Sequence, residues 1–220
     1  MDAPICQQVL GQSKTRLVIP SYVSETHRLH VFKTSHHPRL TVDHNKLAID
    51  VALSTAAAPT YFDAHDFSGG SGLVDGGIWA NNPTGLLAVE AAGVLDWDMS
   101  TVRLLSLGTS HQFVAPKKKV GRLGALKDNW IFDLMFRGQD RASLGTASIL
   151  MKYPHENDHL LRIDPMVDPE LKGLDNLKAI DRLIGIAKTE ARSHLPKIIN
   201  EFFKFQKDDF KPYATTGELK

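Results

Sequence analysis

The sequence contains a single cysteine, Cys6, and therefore cannot form an intrachain disulfide, which excludes a disulfide-built secreted scaffold. Its 26 basic and 25 acidic side chains leave a formal charge of +1, which gives no reason to expect nucleic acid as a partner. No stretch reaches the ~20 apolar residues of a membrane-spanning helix, and residues 1–4 lack the basic start of a signal peptide. We therefore expect a cytoplasmic protein, with any membrane contact peripheral.

Internal repeats and low-complexity tracts are also missing from the sequence. The 220 residues are 42% hydrophobic and 23% charged, which is typical of a folded protein. This length suits one large domain. We predict a domain over residues 1–206 and a solvated C-terminal tail over residues 207–220.

Two apolar runs near the start predict a pair of strands. Residues 16–20 (RLVIP) and 27–33 (HRLHVFK) are separated by polar turn residues, a pattern typical of a hairpin. A helix is predicted over residues 43–58, where apolar side chains recur at helical spacing, and Pro59 ends it.

A strand, a helix and a second strand are predicted next along the chain. Residues 72–75 form a short apolar strand, Asn82-Pro83 is a strong start for a helix over 84–95, and residues 102–107 (VRLLSL) form another strand. Short connections between such elements predict a right-handed crossover, and hence an α/β fold with a largely parallel sheet. The remainder is predicted to be mostly helical, over residues 130–137, 175–187 and 195–203.

The most informative segment is residues 73–83 (LVDGGIWANNP). Asp75 stands at the end of an apolar strand and is followed by Gly76 and Gly77, which let the backbone turn sharply. A carboxylate held in this way suits a general base. Asp-Gly is also a common turn pair, so a plain turn-capping role for Asp75 stays open on these local features.

The same segment resembles a signature of a known enzyme family. Residues 73–77 (LVDGG) followed by 80–83 (ANNP) are similar to the second signature block of the patatin-like phospholipases. Residues 54–59 (STAAAP) and 104–109 (LLSLGT) resemble the flanking segments of that family, in the same order. The resemblance covers about residues 17–109 well and the helical end more loosely.

This resemblance implies a three-layer α/β/α patatin-like fold and the hydrolysis of phospholipids or other acyl esters. Patatin-like enzymes use a serine–aspartate dyad without a histidine partner, and by resemblance Asp75 is the dyad aspartate. Gly76 and Gly77 then form the active-site loop, and Trp79 beside them either lines an acyl pocket or packs in the core. The resemblance implies no metal and no organic cofactor.

The family's nucleophile elbow, G-x-S-x-G, is missing from the sequence. The nearest matches surround Ser13, Ser71 and Ser110, and each lacks the closing glycine. A serine without its elbow and its oxyanion donors is poorly activated. We therefore expect the chain to be the C-terminal, aspartate-bearing portion of a patatin-like domain, incomplete on the N-terminal side and inactive by itself.

A histidine cluster invites a metal interpretation. His155 and His159 have helical ligand spacing, with Glu156 and Asp158 between them. However, the sequence contains no HExxH motif and no clear third ligand, so solvated or structural histidines are favoured over a metal site.

A basic cluster precedes an apolar segment, residues 130–136. The cluster consists of Lys117, Lys118, Lys119, Arg122 and Lys127. In a lipid hydrolase the basic cluster can bind anionic lipid headgroups while the aromatic side chains of the apolar segment enter the membrane interface. A solvated loop followed by a buried core helix is the simpler interpretation, and we favour it.

Two hypotheses follow for the function. The first is a patatin-like lipid acyl hydrolase, of which some bacterial relatives are switched on by cyclic nucleotides, so that a cyclic-nucleotide activator is a candidate partner. The second is a non-catalytic protein that keeps the patatin fold and works through binding or assembly. An incomplete sheet also predicts an exposed apolar edge or groove near Asp75, or an oligomer or partner chain that covers it.

Overall fold

The computed structural model describes residues 7–67, 71–112, 130–152, 159–171, 173, 175–204 and 206–214. The chain divides into two units. The first contains the residues up to Trp97 together with those from Lys207 onward, and the second runs from Asp98 to Gln206. Asp75 and its neighbours belong to the first unit.

Four strands form the sheet of the first unit: β1 (Val18–Val23), β2 (Arg28–Lys33), β3 (His65–Phe67) and β4 (Ser71–Asp75). Their order is β2-β1-β4-β3, and each neighbouring pair is antiparallel. The strands β1 and β2 confirm the predicted hairpin, with Val18 opposite Lys33 and Val23 opposite Arg28. The turn between these strands contains His27 at a φ of 53°, in the left-handed region.

The core of the first unit joins this sheet to helix α1 (Ala48–Ala56). One buried cluster contains Leu10, Phe32, Val51 and Leu73. Val51 comes from α1, whereas Phe32 and Leu73 come from two strands of the sheet. Each fully buried apolar side chain of this size contributes roughly 1.5–3 kcal/mol to folding, so this cluster holds the helix on the sheet.

Two helices follow β4: α2 (Gly77–Ala80) and α3 (Thr84–Gly93). The N-cap position of α3 is Pro83, one residue later than the predicted cap at Asn82. The carboxamide Oδ1 of Asn82 nevertheless accepts a hydrogen bond from the Thr84 N–H at 3.1 Å, at the start of the helix. Pro83 lies between them at a φ of −79°, close to a helical value. The start of α3 is therefore specified by two adjacent residues.

The second unit contains helices α4 (Trp130–Leu150) and α5 (Ile180–Phe202) and a two-stranded parallel sheet of β5 (Leu104–Leu107) and β6 (Leu160–Ile163). The two strands are linked by more than 50 residues, which include α4, and parallel strands need a long crossover of this kind. A small buried cluster of Val167, Leu171 and Ala179 lies in the segment between β6 and α5.

The α/β class is confirmed, and the parallel part of the sheet is smaller than predicted. The four-stranded sheet is antiparallel throughout, and parallel pairing within the described residues is limited to β5 and β6. The predicted crossover from β4 through α3 to β5 connects strands of two different sheets. The pairing departs from the prediction because β4 is hydrogen-bonded to β1 on one side and β3 on the other.

Two features of the C-terminal part differ from the sequence expectation. Helix α5 continues through Pro196 and does not restart there. Within the predicted tail, the Tyr213 N–H donates to the Ser35 carbonyl at 2.8 Å and the Ala214 N–H donates to the Ser35 Oγ at 3.0 Å. Ala214 is buried, so this part of the tail is held against the first unit.

None of the helices in the described part of the chain has the length and apolar character that crossing a membrane requires.

Candidate active site

Asp75 is the last residue of β4, and its backbone is held on two sides. Its N–H donates to the Ala57 carbonyl at 3.0 Å, just beyond the end of α1. Across the sheet it lies opposite Ser21 of β1. The residue is partly buried, so the strand fixes the position of the carboxylate without enclosing it.

The two glycines after Asp75 serve different purposes. The Gly77 N–H donates to Asp75 Oδ1 at 2.7 Å, which orients the carboxylate from the backbone. Gly76 lies directly against β1: a Cβ built on it would lie 2.3 Å from the carbonyl oxygen of Pro20. Gly76 has a φ of −65°, so glycine is required by this close approach and not by a special backbone angle.

Trp79 connects α2 to β1. Its indole Nε1–H donates to the Ser21 carbonyl at 3.0 Å, and the side chain is partly buried. Ser21 is fully buried, and its hydroxyl donates to the Val74 carbonyl at 2.8 Å. The residue before Asp75 is therefore tied to the same β1 residue that holds the indole.

The loop at the other end of β4 carries a negative charge. Glu25 Oε1 accepts a hydrogen bond from the Gly72 N–H at 2.6 Å. This bond is the main cause that lowers the pKa of Glu25 below its usual value of 4.5. The carboxylate therefore stays ionised near neutral pH and supports the turn between β1 and β2 against β4.

Several known phospholipases and patatin-like proteins are similar to this chain in sequence. No family model matches the chain. The chain is 31% identical over 186 residues to the cGAMP-activated phospholipase of Pseudomonas aeruginosa, covering 82% of this chain and 53% of that protein. It is 37% identical over 130 residues to the cGAMP-activated phospholipase of Vibrio cholerae, covering 54% of this chain and 36% of that protein. It is also 33% identical over 145 residues to patatin-like protein 2 of Arabidopsis thaliana, covering 56% of this chain and 35% of that protein.

The chain belongs to the patatin-like phospholipase family. It spans about half the length of the first of these relatives, and about a third of the other two. The roles of Asp75, Gly76, Gly77 and Trp79 in this patatin-like chain remain predictions, although all four residues lie in one segment against β1.

The three serines with partial elbow motifs lie in different surroundings. Ser13 is half-buried, and its hydroxyl donates to the Thr15 carbonyl at 2.8 Å. The side chain of Ser71 lies outside the described residues. Ser110 belongs to the second unit, has a φ of 110°, and donates its N–H to Asp164 Oδ1 at 3.2 Å. The absence of a nucleophile therefore remains an expectation from the sequence.

The histidine cluster at 155–159 and the basic cluster at 117–127 fall largely outside the described residues, which exclude 113–129 and 153–158. Within the described ranges, no three His, Cys, Asp or Glu side chains are grouped to hold a metal ion. The apolar segment at the start of α4 is described, and it is not a buried core helix. Phe132 is 51% exposed and Met135 is 54% exposed, while Ala147 is the residue of α4 that is buried.

Exposed apolar side chains are found in the segments adjoining the site. Tyr61 and Phe62 follow the end of α1, and Ile78 lies on α2. The exposed apolar patch near Asp75 stays a prediction, and so does a partner chain that covers it.

Sequence reasoning missed the groups that hold the Asp75 turn. Ser21 and Ala57 both act through backbone carbonyl oxygens. The carbonyl of Pro20 likewise accepts the Thr55 hydroxyl at 2.6 Å. Any residue can supply a backbone carbonyl, so the sequence contains no signal that identifies these three acceptors.

Proposed function

We propose that this chain is the aspartate-bearing part of a lipid acyl hydrolase that cleaves carboxylic esters with a serine–aspartate dyad, with Asp75 as the general base. The observation that supports this proposal is the fixed orientation of a partly exposed carboxylate. The Asp75 N–H is bonded to Ala57, and Oδ1 accepts the Gly77 N–H. A base positioned in this way loses little further freedom when a hydroxyl approaches it.

In the proposed mechanism the serine belongs to a part of the enzyme not contained in this chain. Because Asp75 Oδ1 already accepts the Gly77 N–H, we assign the proton transfer to Oδ2. Asp75 removes the serine proton as the serine oxygen bonds to the ester carbonyl carbon, and backbone amides of a glycine-rich loop hold the oxyanion. The bond to the leaving alcohol then breaks, and the alcohol oxygen takes the proton from Asp75.

Deacylation follows the same route. Asp75 removes a proton from water, and the water oxygen attacks the acyl-serine carbonyl. The serine oxygen leaves with the proton from Asp75, and the fatty acid is released. Both proton transfers use one carboxylate, so the proposal needs no histidine.

We further propose that a cyclic nucleotide activates the complete enzyme. The support is that the relatives from Pseudomonas aeruginosa and Vibrio cholerae are named as cGAMP-activated phospholipases. This part of the proposal concerns the whole protein, because the chain matches only 53% of the Pseudomonas aeruginosa relative.

A chimera tests the catalytic proposal. The segment of the Pseudomonas aeruginosa relative that matches this chain is replaced by the chain, and hydrolysis of a p-nitrophenyl ester is measured with and without cGAMP. The chimera is expected to turn over the ester, and the chain alone is not. Asp75→Asn is expected to lower kcat about 10²–10⁴-fold, the usual effect of removing a general base.

The matched control is Asp66→Asn, which changes an exposed aspartate of β3 in the same sheet. It is expected to leave kcat unchanged. Turnover that survives Asp75→Asn would refute the dyad assignment. Turnover by the chain alone that is lost on Asp75→Ala would show that one of its own serines is the nucleophile. A folded chimera without turnover would instead favour the non-catalytic alternative.

A further inference from the structure

Helix α2 is too short to hold itself in place. It contains four residues, Gly77–Ala80, whereas isolated helices shorter than about 12 residues are marginal in water. Its position, and with it the Gly77 N–H that orients Asp75, must therefore come from contacts with other elements. The indole of Trp79 makes such a contact with β1, at the Ser21 carbonyl.

The Trp79 contact closes a loop of hydrogen bonds around the Asp75 turn. The backbone N–H of Trp79 donates to the Gly76 carbonyl at 3.1 Å, and its indole donates to the Ser21 carbonyl at 3.0 Å. Ser21 in turn donates its hydroxyl to the Val74 carbonyl and lies opposite Asp75 in the sheet. The residues on both sides of Asp75 are thus linked to the same point of β1.

We infer that Trp79 is a positioning residue for Asp75, acting through the Ser21 carbonyl and the Gly77 N–H. The indole N–H holds α2 against β1, which keeps the Gly77 N–H on Oδ1. The inference rests on the proposed role of Asp75 as the base. It differs from a role in lining an acyl pocket, because a lining residue changes substrate binding and acyl-chain preference, whereas a positioning residue changes the proton-transfer step.

The first test uses the 220-residue chain itself and needs no activity. The amide proton of Gly77 is followed by NMR in glycine-labelled protein as the pH is lowered, because its bond to Oδ1 makes its chemical shift report the ionisation of Asp75. The Asp75→Asn variant identifies the Gly77 signal by removing its titration. Trp79→Phe keeps an aromatic ring but removes the indole N–H. It is expected to reduce the pH-dependent change in the Gly77 amide chemical shift at least about twofold.

Trp97→Phe is the matched control, since Trp97 is 44% exposed and its ring contacts Arg16. It is expected to leave the Gly77 titration unchanged. A full Gly77 titration in Trp79→Phe would overturn the inference. If Trp79→Phe does not fold, the unsubstituted chain decides: the Trp79 indole N–H is expected to exchange with solvent at least about tenfold more slowly than that of Trp97, and equal exchange rates would overturn the inference.

The second test uses the chimera described above. Trp79→Phe is expected to lower kcat about 3- to 10-fold, the effect of one lost hydrogen bond, with KM unchanged and with the same factor for short and long acyl chains. A raised KM or an altered chain-length preference would assign Trp79 to the acyl pocket and overturn the positioning role. Failure of the dyad proposal is seen separately, as turnover that survives Asp75→Asn, and the NMR test of Trp79 remains decisive in that case.

Discussion

The closeness of Gly76 to β1 allows a sharp prediction. In Gly76→Ala, the added Cβ would lie 2.3 Å from the Pro20 carbonyl oxygen and 2.4 Å from its carbonyl carbon. Alanine adopts the φ of Gly76, −65°, without strain. The destabilisation must therefore come from the contact with the backbone of β1, which cannot rotate away as a flexible side chain can.

The magnitude follows from the movement that the contact forces. Ordinary contact begins at 3.4 Å, so β1 and the turn must separate by about 1 Å. That separation breaks the 2.6 Å bond from the Thr55 hydroxyl to Pro20, or the 3.0 Å bond from the Trp79 indole to Ser21. Overpacking costs about 1–3 kcal/mol and a lost hydrogen bond about 0.5–1.5 kcal/mol. We expect Gly76→Ala to lower the free energy of unfolding by about 2–4 kcal/mol.

The assay is urea unfolding, together with hydrogen exchange of the β1 and β4 amides to report on the first unit. Gly93→Ala is the matched control, because no heavy atom lies within 4 Å of its added Cβ at the end of α3. It is expected to be neutral or to stabilise by up to about 1 kcal/mol. If Gly76→Ala and Gly93→Ala have equal effects, the argument that β1 needs a glycine at this position is wrong.

Two further predictions concern charged groups of the first unit. Because the hydrogen bond from Gly72 lowers the pKa of Glu25, the ionised carboxylate stabilises the fold at pH values above 4.5, and this contribution is lost as the pH falls through the lowered pKa. Glu25→Gln is therefore expected to reduce the unfolding free energy at pH 7 but not at strongly acidic pH, and a pH-independent difference would contradict this. The buried Glu90 accepts hydrogen bonds from Lys33 at 2.5 Å and from Nε2 of the fully buried His36 at 2.9 Å. Glu90→Leu removes the partner of the Lys33 ammonium and of that ring nitrogen and is expected to destabilise by about 3 kcal/mol in urea unfolding, whereas a loss below about 0.5 kcal/mol would show that the network is not stabilising.

The features that sequence analysis predicted best depend on neighbouring residues. The hairpin of β1 and β2, the start of α3 near Asn82 and Pro83, and the turn after Asp75 all arise from residues within a few positions of each other. Local backbone preference and side-chain hydrogen bonding decide such structures. The extent of α1 was overestimated, since the helix covers Ala48–Ala56 within the predicted residues 43–58.

The features that were not predicted depend on distant residues. The pairing of β4 with β1 brings Asp75 opposite Ser21, which is more than 50 positions away, and no local pattern specifies an antiparallel partner at that separation. A helix was expected to restart at residues 195–196, whereas α5 continues through Pro196 although a proline removes a backbone hydrogen bond and crowds the preceding turn. The exposure of Phe132 was missed because an apolar sequence does not reveal whether a neighbouring element covers it.

The hydrogen bonds between Ser35 and the segment of Tyr213 and Ala214 have a consequence for folding during synthesis. The second unit is an insertion in the first, since both Trp97 and Lys207 belong to the first unit. At about 5–20 residues per second, the ribosome needs on the order of ten seconds to proceed from Trp97 to Ala214. During that interval the buried Ser35 lacks the two N–H donors that it has in the finished protein. The N-terminal part of the first unit must therefore wait for the second unit to be synthesised before its own structure is complete.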